Sequence, residues 1–369
     1  MRVKRIALSG FRNYDEEAVE FSPGVNVIAG ANAQGKTNLL EAVWLLTGAH
    51  SFRTRFDREL IGFDCSWSRI LADVDSQGRE QTIQLLFRRG QSRQATVNAV
   101  KKRSSELSGV MTAVLFSPDD LYLIKEGAQA RRRLMDSAIA QLRPGYAAIL
   151  SDFNKLYENK TRILRDWREK PSLLSALDEF SDGLARCSAR LIRYRASFVQ
   201  RLGEAAGPIH REFSGGGEEL ALHYKTVSTV TDATASAETI YYQICAHQEA
   251  HRQAELDAGL CLTGAHKDDM EICVNGRPAR SFASQGQTRT AALSLKLGER
   301  EMFLAETGEY PVLLLDDVLS ELDERRQSFV LNRIGGGQTL ISCCEDDNIA
   351  RRTGGRVLSV QAGRVREAL

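Results

Sequence analysis

One octapeptide near the N-terminus constrains the fold of this chain more than any other feature. It fits the pattern GxxxxGK[ST] with the residues Gly30-Ala31-Asn32-Ala33-Gln34-Gly35-Lys36-Thr37. It follows a β-rich run, Val25 to Ile28, and precedes a mostly apolar helical pattern from Lys36 to Leu46, which is the context that the pattern requires. Its glycines let successive backbone amides point at a phosphate, while Lys36 supplies a cation and Thr37 offers a hydroxyl to Mg²⁺. The sequence therefore predicts a nucleotide-binding loop in an α/β fold.

A pair of carboxylates after a second apolar strand supplies the rest of such a site. The run Val312 to Leu315 is followed directly by Asp316 and Asp317. Asp316, at the end of the strand, would hold Mg²⁺ through water together with Thr37, and Asp317 would orient or deprotonate the attacking water. We therefore predict ATP and Mg²⁺ as cofactors, and Lys36, Asp316 and Asp317 as catalytic residues.

A second anion-binding pattern indicates that two copies of the chain act together. The residues Ser284-Gln285-Gly286-Gln287 open a helical pattern, and a hydroxyl with glycine amides at a helix N-terminus binds anions. The segment Ser320 to Asp323 follows the second aspartate closely. One chain needs only one cradle for a γ-phosphate, so the second cradle would serve the nucleotide of another copy. This predicts an isologous homodimer that forms on ATP binding.

The order of patterns along the chain predicts a head built from both ends, with helices inserted between them. Short β-rich runs fill the first third, and α/β patterning returns in the last third. We expect three parts: residues 1–115 with the phosphate loop, an inserted helical lobe at 116–258, and the rest of the head at 259–369. The elements expected after residue 115 are helices Tyr146 to Lys170 and Ser172 to Gly203, which form a short antiparallel arm, strand Leu220 to Val230, helix Glu238 to Leu256, helix Gln287 to Glu306, and strands Pro311 to Leu315 and Thr339 to Ile341.

Charge is balanced overall but not along the chain. The 49 basic and 48 acidic residues do not indicate a wholly basic nucleic-acid-binding protein. Residues 81–105, however, carry six basic and no acidic side chains, and residues 131–201 carry 15 basic and 8 acidic. Such patches attract phosphate backbones, although a solvated helix face would show the same surplus. The longest uncharged stretch, residues 21–35, is too short for a membrane helix, so we expect a cytoplasmic protein with no membrane partner.

An ordered set of motifs over nearly the whole chain resembles the ABC-type ATPases of DNA maintenance, and among them the RecF family. The resemblance implies a P-loop ABC-type ATPase head with a short helical arm, and weak, DNA-dependent ATP hydrolysis. It further implies that ATP drives dimerisation and binding to double-stranded, gapped or junction DNA, and that hydrolysis releases the DNA. Partners implied are RecR and RecO, which act with the family in loading RecA. The motifs are Leu8 to Tyr14, the phosphate loop, Phe116 to Leu121 with Arg131 to Arg133, Thr263 to Asp269, Ser284 to Gln287, and the aspartates before Ser320 to Asp323.

The same resemblance implies roles for single residues. Arg12 and Asn13 would lie near the nucleotide, Ser284 to Gln287 on the γ-phosphate held by the partner copy, and Asp323 in a loop at the dimer interface. Arg53, Arg55 and the basic region 81–105 are the expected DNA contacts. The chain departs from related patterns at three positions: Gln285 replaces the first signature glycine of transporters, Asp317 replaces a catalytic glutamate, and Ala265 replaces a proline. The γ-phosphate sensor would be Ser342, Cys343 or Cys344. The sequence does not define a role for His266.

Three function classes remain open from the residues. The first is an ATP-switched DNA-binding clamp. The second is the ATPase subunit of an ABC transporter, which would need a membrane partner and would ignore DNA. The third is a nucleotide or small-molecule kinase, which would use one ATP per monomer and leave Ser284 to Gln287 without a role. A chromosome-entrapping ATPase is disfavoured because its arms require hundreds of residues.

Overall fold

The structure, a computed structural model, describes residues 1–107, 109–344 and 347–367. Its strands are β1 (Arg2–Phe11), β2 (Tyr14–Glu20), β3 (Val25–Ala29), β4 (Trp67–Ser76), β5 (Arg79–Arg88), β6 (Gln94–Val97), β7 (Val100–Lys102), β8 (Ala113–Phe116), β9 (Leu220–Lys225), β10 (Asp269–Val274), β11 (Arg277–Pro278), β12 (Val312–Asp316), β13 (Thr339–Cys343), β14 (Arg356–Gln361) and β15 (Arg364–Glu367). Its helices are α1 (Lys36–Leu45), α2 (Ala128–Leu142), α3 (Tyr146–Asp166), α4 (Leu177–Phe213), α5 (Ala237–Ala258), α6 (Ala279–Phe282), α7 (Gln285–Thr307), α8 (Glu324–Arg333) and α9 (Asp347–Thr353).

A sheet of order β15-β14-β3-β13-β12-β8 joins the two ends of the chain. Strand β3, from the first thirty residues, pairs in parallel with β13 and β14 from the last thirty-odd. Strand β12 pairs in parallel with β13 and β8. Because parallel strands end at the same edge of a sheet, the loops after β3, β12 and β13 meet there, which is where α/β proteins bind ligands. The expected α/β head assembled from both termini is confirmed.

Helix α1 lies between this sheet and a second, antiparallel one of order β2-β1-β4-β5-β6-β7. Its apolar residues, including Leu39, Leu40 and Val43, are fully buried in a core that also contains Ile6 of β1 and Leu314 of β12. Residues 39–45 of α1 are all buried, Glu41 among them, so the helix is covered on all sides beyond its first turn. This covering fixes the start of α1, and with it Lys36 and Thr37, against the sheet edge.

The middle of the chain forms the expected pair of long helices, with different limits. Helix α4 begins at Leu177, after a short 3₁₀ turn that Pro171 opens, and continues past Gly203 to Phe213 with Pro208 inside it. The predicted end at Gly203 is therefore wrong. Ala206, Ile209 and Phe213 are buried, and their burial outweighs the cost of the proline.

A small sheet of order β11-β10-β9 lies beside these helices. Strand β9 ends at Lys225 rather than at the predicted Val230. Strand β8 spans residues 113–116, and β9 pairs with β10 across residue 258, so both elements cross the expected boundaries. The three-part division at 115 and 258 stays a prediction. Within the described residues, no helix is long and apolar enough to cross a membrane.

Candidate nucleotide-binding site

The loop between β3 and α1 has a backbone that only glycine fits at two positions. Gly30 has φ 153° and Gly35 has φ 120°, both in the region that side chains rarely adopt. A Cβ on Gly30 would lie 2.4 Å from the carbonyl oxygen of Val360, and one on Gly35 would lie 2.8 Å from the side chain of Asn13. Residues 31–33 of the loop are exposed. The loop is thus pressed against the protein on one side and open on the other, as a phosphate cradle requires.

Lys36 points into the curl of this loop. Its Nζ donates to the carbonyl oxygens of Gly30 at 2.6 Å and Ala31 at 3.0 Å. The rest of the side chain is buried. The cation is therefore held at the centre of the loop, where a phosphate group would meet it.

The turn between β14 and β15 contacts the phosphate loop and holds Gln34 in place. Gln34 accepts backbone N–H groups from Ala362 at 2.7 Å and Gly363 at 3.0 Å, through its side chain and its carbonyl respectively. The side chain of Asn13 donates to the same carbonyl at 2.9 Å. Sequence reasoning missed the contribution of Ala362 and Gly363. The only signal was a possible two-residue hairpin turn, and a turn carries no information about what it touches.

Thr37 and Asp316 meet at the sheet edge. The Thr37 hydroxyl donates to Asp316 Oδ1 at 2.8 Å, and the Ser342 hydroxyl donates to the same oxygen at 2.8 Å. Burial raises the pKa of Asp316, and the two hydrogen bonds and the charge of Arg53 oppose that rise. A hydroxyl and a carboxylate oxygen side by side are hard oxygen donors of the kind Mg²⁺ prefers, so the residues fit the predicted metal.

Asp317 has an unusual backbone and a buried carboxylate oxygen. Its φ is 52°, and its N–H donates to Ser342 Oγ at 2.9 Å. Its Oδ1 is buried and accepts no hydrogen bond from the described residues. A strained residue with an unpaired acceptor is often a functional one. Ser342 contacts both aspartates, because it also donates to Asp316 Oδ1.

The three candidates for the γ-phosphate sensor lie in different places. Ser342 is buried behind Asp316 and Asp317. Cys343 is buried against Val27 and Ala29 of β3. Cys344 is exposed, and its Sγ lies 3.0 Å from Asn32 Oδ1 and 3.8 Å from Lys36 Nζ. Of the three side chains, that of Cys344 is the one at the open side of the loop.

Arg12 lies near the loop but is held by other partners. Its guanidinium binds both carboxylate oxygens of Glu41 in α1, at 2.7 and 2.8 Å, and the carbonyl oxygen of Glu59 at 3.0 Å. Glu41 is fully buried. Arg12 thus joins β1 to α1, whereas Asn13 contacts the loop itself.

Ser284 to Gln287 form a second cluster, at the N-terminus of α7. Helix α7 begins at Gln285 and not at the predicted Gln287. Ser284 caps it, because its Oγ accepts the N–H of Gln287 at 3.2 Å. The Gln287 side chain accepts the N–H of Ser284 in return, at 2.9 Å. The Gln287 side chain also donates to Glu218 at 2.8 Å. Across the described ranges, no hydrogen bond joins residues 284–287 to residues 30–37.

Asp323 belongs to this second cluster. It caps α8 by accepting the N–H of Arg326 at 3.0 Å, and it forms an ion pair with the Arg326 guanidinium. Arg326 Nη2 donates in turn to the carbonyl oxygen of Gly286 at 3.0 Å. The structure therefore joins Asp323 to the signature residues, and within the described residues no hydrogen bond or ion pair joins either of them to Lys36 or Asp316.

Comparison with known proteins assigns the chain to a family. The family model described as the RecF/RecN/SMC N terminal domain matches residues 2–353. The DNA replication and repair protein RecF of Acetivibrio thermocellus is 38% identical over 367 residues, which cover 99% of this chain and 99% of that protein. The chain belongs to the RecF family. This membership does not favour the transporter-subunit alternative.

Two solved RecF structures share the whole fold. The recombination mediator protein RecF-ATPrS in the RecFOR pathway is similar with a TM-score of 0.92 and 32% identity, over 100% of this chain and 98% of that one. RecF-ATP in the same pathway gives 0.90 and 33%, over 100% and 97%. ATPrS and ATP are named for those two solved proteins and not for this chain.

The Thr263 to Asp269 motif of this RecF-family chain forms a buried ion network. Arg195 of α4 binds Asp136 at 2.9 and 3.0 Å, Asp268 at 2.9 Å and the carbonyl oxygen of Ala265 at 2.6 Å. Arg131 binds both carboxylate oxygens of Asp269, at 2.6 and 2.9 Å. Arg131 is therefore a buried, ion-paired member of this network.

His266 packs beside the network. Burial lowers its pKa to about 4, so its ring is neutral at physiological pH. The ring packs against Tyr157 with centroids 4.5 Å apart and a 40° tilt between the planes, and its Nε2 lies 3.0 Å from the carbonyl oxygen of Cys261. This RecF-family histidine is therefore a packing residue that joins the motif to α3.

Proposed function

We propose that this chain is an ATP-switched DNA-binding protein of recombinational repair and replication, which dimerises on ATP and releases DNA after slow hydrolysis. The observation that carries the proposal is that one chain has two such clusters, which no hydrogen bond or ion pair joins within the described residues. The phosphate loop with Asp316 forms one cluster, and Ser284, Gly286 and Asp323 form the other. Each cluster would supply only some of the groups that bind a γ-phosphate, so a complete binding site requires two copies of the chain.

The residues of the first cluster would hold ATP and Mg²⁺. The backbone amides of residues 30–37 and the Lys36 ammonium would bind the phosphates, while Thr37 and Asp316 would hold the metal. Bound Mg²⁺ supplies positive charge that balances the phosphate oxygens. Gln34 and Asn13 would keep the loop in place through their contacts with the β14–β15 turn and with α1.

The second cluster would complete the site of the partner copy. Ser284 and Gln285 are exposed, and the N-terminus of α7 carries partial positive charge. The Ser284 hydroxyl and the Gly286 and Gln287 amides would therefore meet the γ-phosphate in trans. Asp323, exposed beside them, would lie at the dimer interface.

Asp317 would position the water that attacks the γ-phosphate. Its buried, unpaired Oδ1 beside Asp316 supports this role. An aspartate is one methylene shorter than a glutamate and reaches less far, which is consistent with slow, weak and DNA-dependent hydrolysis. Cys344, at the open side of the loop near Lys36, is our preferred γ-phosphate sensor.

The DNA contacts would be exposed arginines and lysines near the first cluster. Arg53, Arg55, Arg88, Arg89 and Lys101 are exposed. Arg93 is removed from our predicted set, because it is nearly buried and ion-paired with Asp57 at 2.9 Å. Binding through phosphates should weaken steeply with salt and depend little on base sequence. From the membership of the RecF family we also propose a cytoplasmic location and cooperation with RecR and RecO in loading RecA.

The test is DNA binding with ATP, with ADP and without nucleotide, measured by gel shift, with association measured in parallel by sedimentation. We expect binding and dimerisation with ATP alone. Lys36→Ala should abolish both, because the loop loses its cation. A transporter subunit would ignore DNA in all three conditions, and a kinase would bind one ATP per monomer without dimerising. Either result would refute the proposal.

A further inference from the structure

The side-chain amide of Gln287 is held at both of its ends. Its Oε1 accepts the N–H of Ser284 at 2.9 Å, and its Nε2 donates to Glu218 Oε1 at 2.8 Å. A backbone N–H can only donate and an ionised carboxylate can only accept, so these two partners allow one orientation of the amide and exclude its flipped form. The orientation of Gln287 therefore depends on Glu218, a residue outside every motif that the sequence offered.

The backbone holds Glu218 in place, although three glycines, residues 215–217, precede it. The N–H of Glu218 donates to Ser214 Oγ at 3.2 Å, directly after the end of α4. The N–H of the next residue, Glu219, donates to Asn275 Oδ1 at 2.8 Å, in the turn between β10 and β11. The chain on either side of the Glu218 carboxylate is thus tied to α4 and to the small sheet.

The second carboxylate oxygen of Glu218 faces a buried histidine of α4. His210 is fully buried, and its Nε2 lies 3.2 Å from Glu218 Oε2. The other ring nitrogen, Nδ1, lies 3.3 Å from Ser294 Oγ, further along α7 from Gln287. His210 therefore lies between the Glu218 carboxylate and the body of the helix that Gln287 helps to cap.

The burial of Glu218 is costly for a structural residue. Its side chain is 22% exposed, and among the described residues no lysine or arginine forms an ion pair with it. A carboxylate that is mostly removed from water without a permanent counter-charge lowers the stability of a fold. The contact that the carboxylate gains in return is the hydrogen bond to Gln287, which indicates a role at the N-terminus of α7.

The groups proposed to meet a γ-phosphate lie in the turn that Gln287 caps. Ser284 Oγ accepts the N–H of Gln287 at 3.2 Å, so the two residues cap each other. If the Gln287 amide turned away, the N–H of Ser284 would lose its acceptor and the exposed Ser284 hydroxyl would lose its fixed position. Donors that are already in place bind an anion more tightly, because ordering them then takes no free energy from binding.

We propose that Glu218 is a positioning residue for Ser284 to Gln287: it holds the Gln287 amide, and through it the Ser284 cap, in the arrangement that receives the γ-phosphate of the partner copy. The inference rests on the proposed function and adds a residue to it. Glu218 acts through Gln287, so it affects the ATP-bound dimer and not the binding of ATP to the phosphate loop of a single copy.

The experiment measures the dimer dissociation constant with ATP by sedimentation, and the binding of a fluorescent ATP analogue to the single chain. Glu218→Ala should raise the dimer dissociation constant by at least about tenfold, the effect of losing a hydrogen bond to a charged group, and leave binding of the analogue unchanged. Glu218→Gln keeps an oxygen that accepts from Gln287 Nε2, and should restore most of the dimer affinity. Glu218→Met fills the same space without an acceptor, and replaces Glu218→Ala if that variant does not fold.

The adjacent glutamate is the matched control. Glu219 carries the same charge one residue further along, and its side chain is exposed. Glu219→Ala should therefore dimerise like the wild type. Thermal unfolding of each variant without nucleotide measures any effect on the fold separately from the effect on the dimer.

A double-mutant cycle tests whether Glu218 acts through Gln287. Gln287→Ala alone should weaken the dimer, and adding Glu218→Ala to it should have no further effect, because the side chain that Glu218 orients is already absent. If Glu218 contributed only to the stability of the fold, its replacement would weaken the dimer by the same factor with and without Gln287.

Three outcomes overturn the inference. They are equal dimer dissociation constants for Glu218→Ala and the wild type, an equal loss in the two backgrounds of the cycle, and a Glu218→Gln variant that dimerises no better than Glu218→Ala. The last result would assign the effect to the negative charge beside His210 instead. If the wild type itself formed no dimer with ATP, the proposed function would fail, and that result is visible before any variant is made.

Discussion

The guanidinium of Arg326 donates to the carbonyl oxygen of Gly286 at 3.0 Å. Arg326 also forms an ion pair with Asp323, the cap of its own helix, and its Nη2 lies 3.2 Å from Thr290 Oγ1. One side chain thus fixes the position of the signature residues relative to the loop that holds Asp323. If the signature residues and Asp323 both contact the partner copy, the distance between them must match the nucleotide site of that copy.

Arg326→Ala should weaken the ATP-induced dimer without weakening ATP binding. A hydrogen bond to a charged group contributes about 1.5–3 kcal/mol, so the loss of this anchor should raise the dimer dissociation constant by at least about tenfold. Sedimentation with ATP measures the dimer, and a fluorescent nucleotide measures ATP binding. Arg366→Ala, at an exposed position of β15, is the matched control. If the dimer dissociation constant of Arg326→Ala equalled that of the wild type, Arg326 would have no role in dimerisation.

Asp317→Asn should slow ATP hydrolysis by a factor of about 10²–10⁴, the usual contribution of a general base. The ATP dimer should then persist on DNA, because release follows hydrolysis in the proposed cycle. Steady-state phosphate release and the lifetime of the DNA complex measure the two effects. Asp317→Glu keeps a carboxylate and should stay within about tenfold of the wild-type rate. Wild-type turnover in Asp317→Asn would remove Asp317 from catalysis.

Asp316→Asn should stabilise the nucleotide-free protein while abolishing Mg²⁺-dependent hydrolysis. Burial raises the pKa of Asp316, so the folded protein holds this proton more tightly than the unfolded chain does. The ionised carboxylate therefore costs stability above that raised pKa, and the cost disappears as the pH falls below it. An amide oxygen still accepts the hydroxyls of Thr37 and Ser342, but without the buried charge.

Thermal unfolding at several pH values measures this effect of Asp316→Asn. We expect a higher Tm than for the wild type near pH 8, and a difference that shrinks as the pH is lowered through the raised pKa of Asp316. Ser342→Ala is a useful comparison, because it removes the hydrogen bonds to Asp316 Oδ1 and from the Asp317 N–H and keeps the charge of Asp316. It should lower the Tm at pH 8. A Tm difference for Asp316→Asn that grows towards acid pH would contradict the argument.

The parts of the site that sequence could predict are those fixed by local pattern. Gly30, Gly35, Lys36 and Thr37 lie in one loop whose strand and helix are adjacent in the chain, so their geometry follows from short-range constraints. Asp316 is brought to them by the pairing of β12, β13 and β3, and a buried apolar strand that ends in a carboxylate already indicates such an edge.

Long-range contacts that no local motif marks could not be predicted. Gln34 and Ala362 are hundreds of residues apart and meet only because β14 pairs with β3, a choice that depends on the packing of the whole sheet. The run Arg131 to Arg133 shows a different limit. Successive residues of a helix point about 100° apart, so charge in a run does not mean charge on one face. Arg131 is buried against Asp269, whereas Arg133 is exposed.

Arg195→Ala should destabilise the fold more than any surface substitution. Its guanidinium is the partner of two carboxylates, Asp136 and the fully buried Asp268, and removal of one member of a buried pair costs about 3–5 kcal/mol. Urea unfolding at neutral pH measures the loss. Arg193→Ala, at an exposed position of α4, should change the free energy of unfolding by less than about 0.5 kcal/mol.

The pH dependence of Arg195→Ala separates loss of charge from loss of packing. Burial raises the pKa of Asp268, and the charge of Arg195 opposes that rise. Without the guanidinium, Asp268 should take up a proton at higher pH, and the destabilisation should become smaller as the solution is made more acidic. A loss that is independent of pH would mean that Arg195 stabilises the fold through the packing of its side chain and not through its charge.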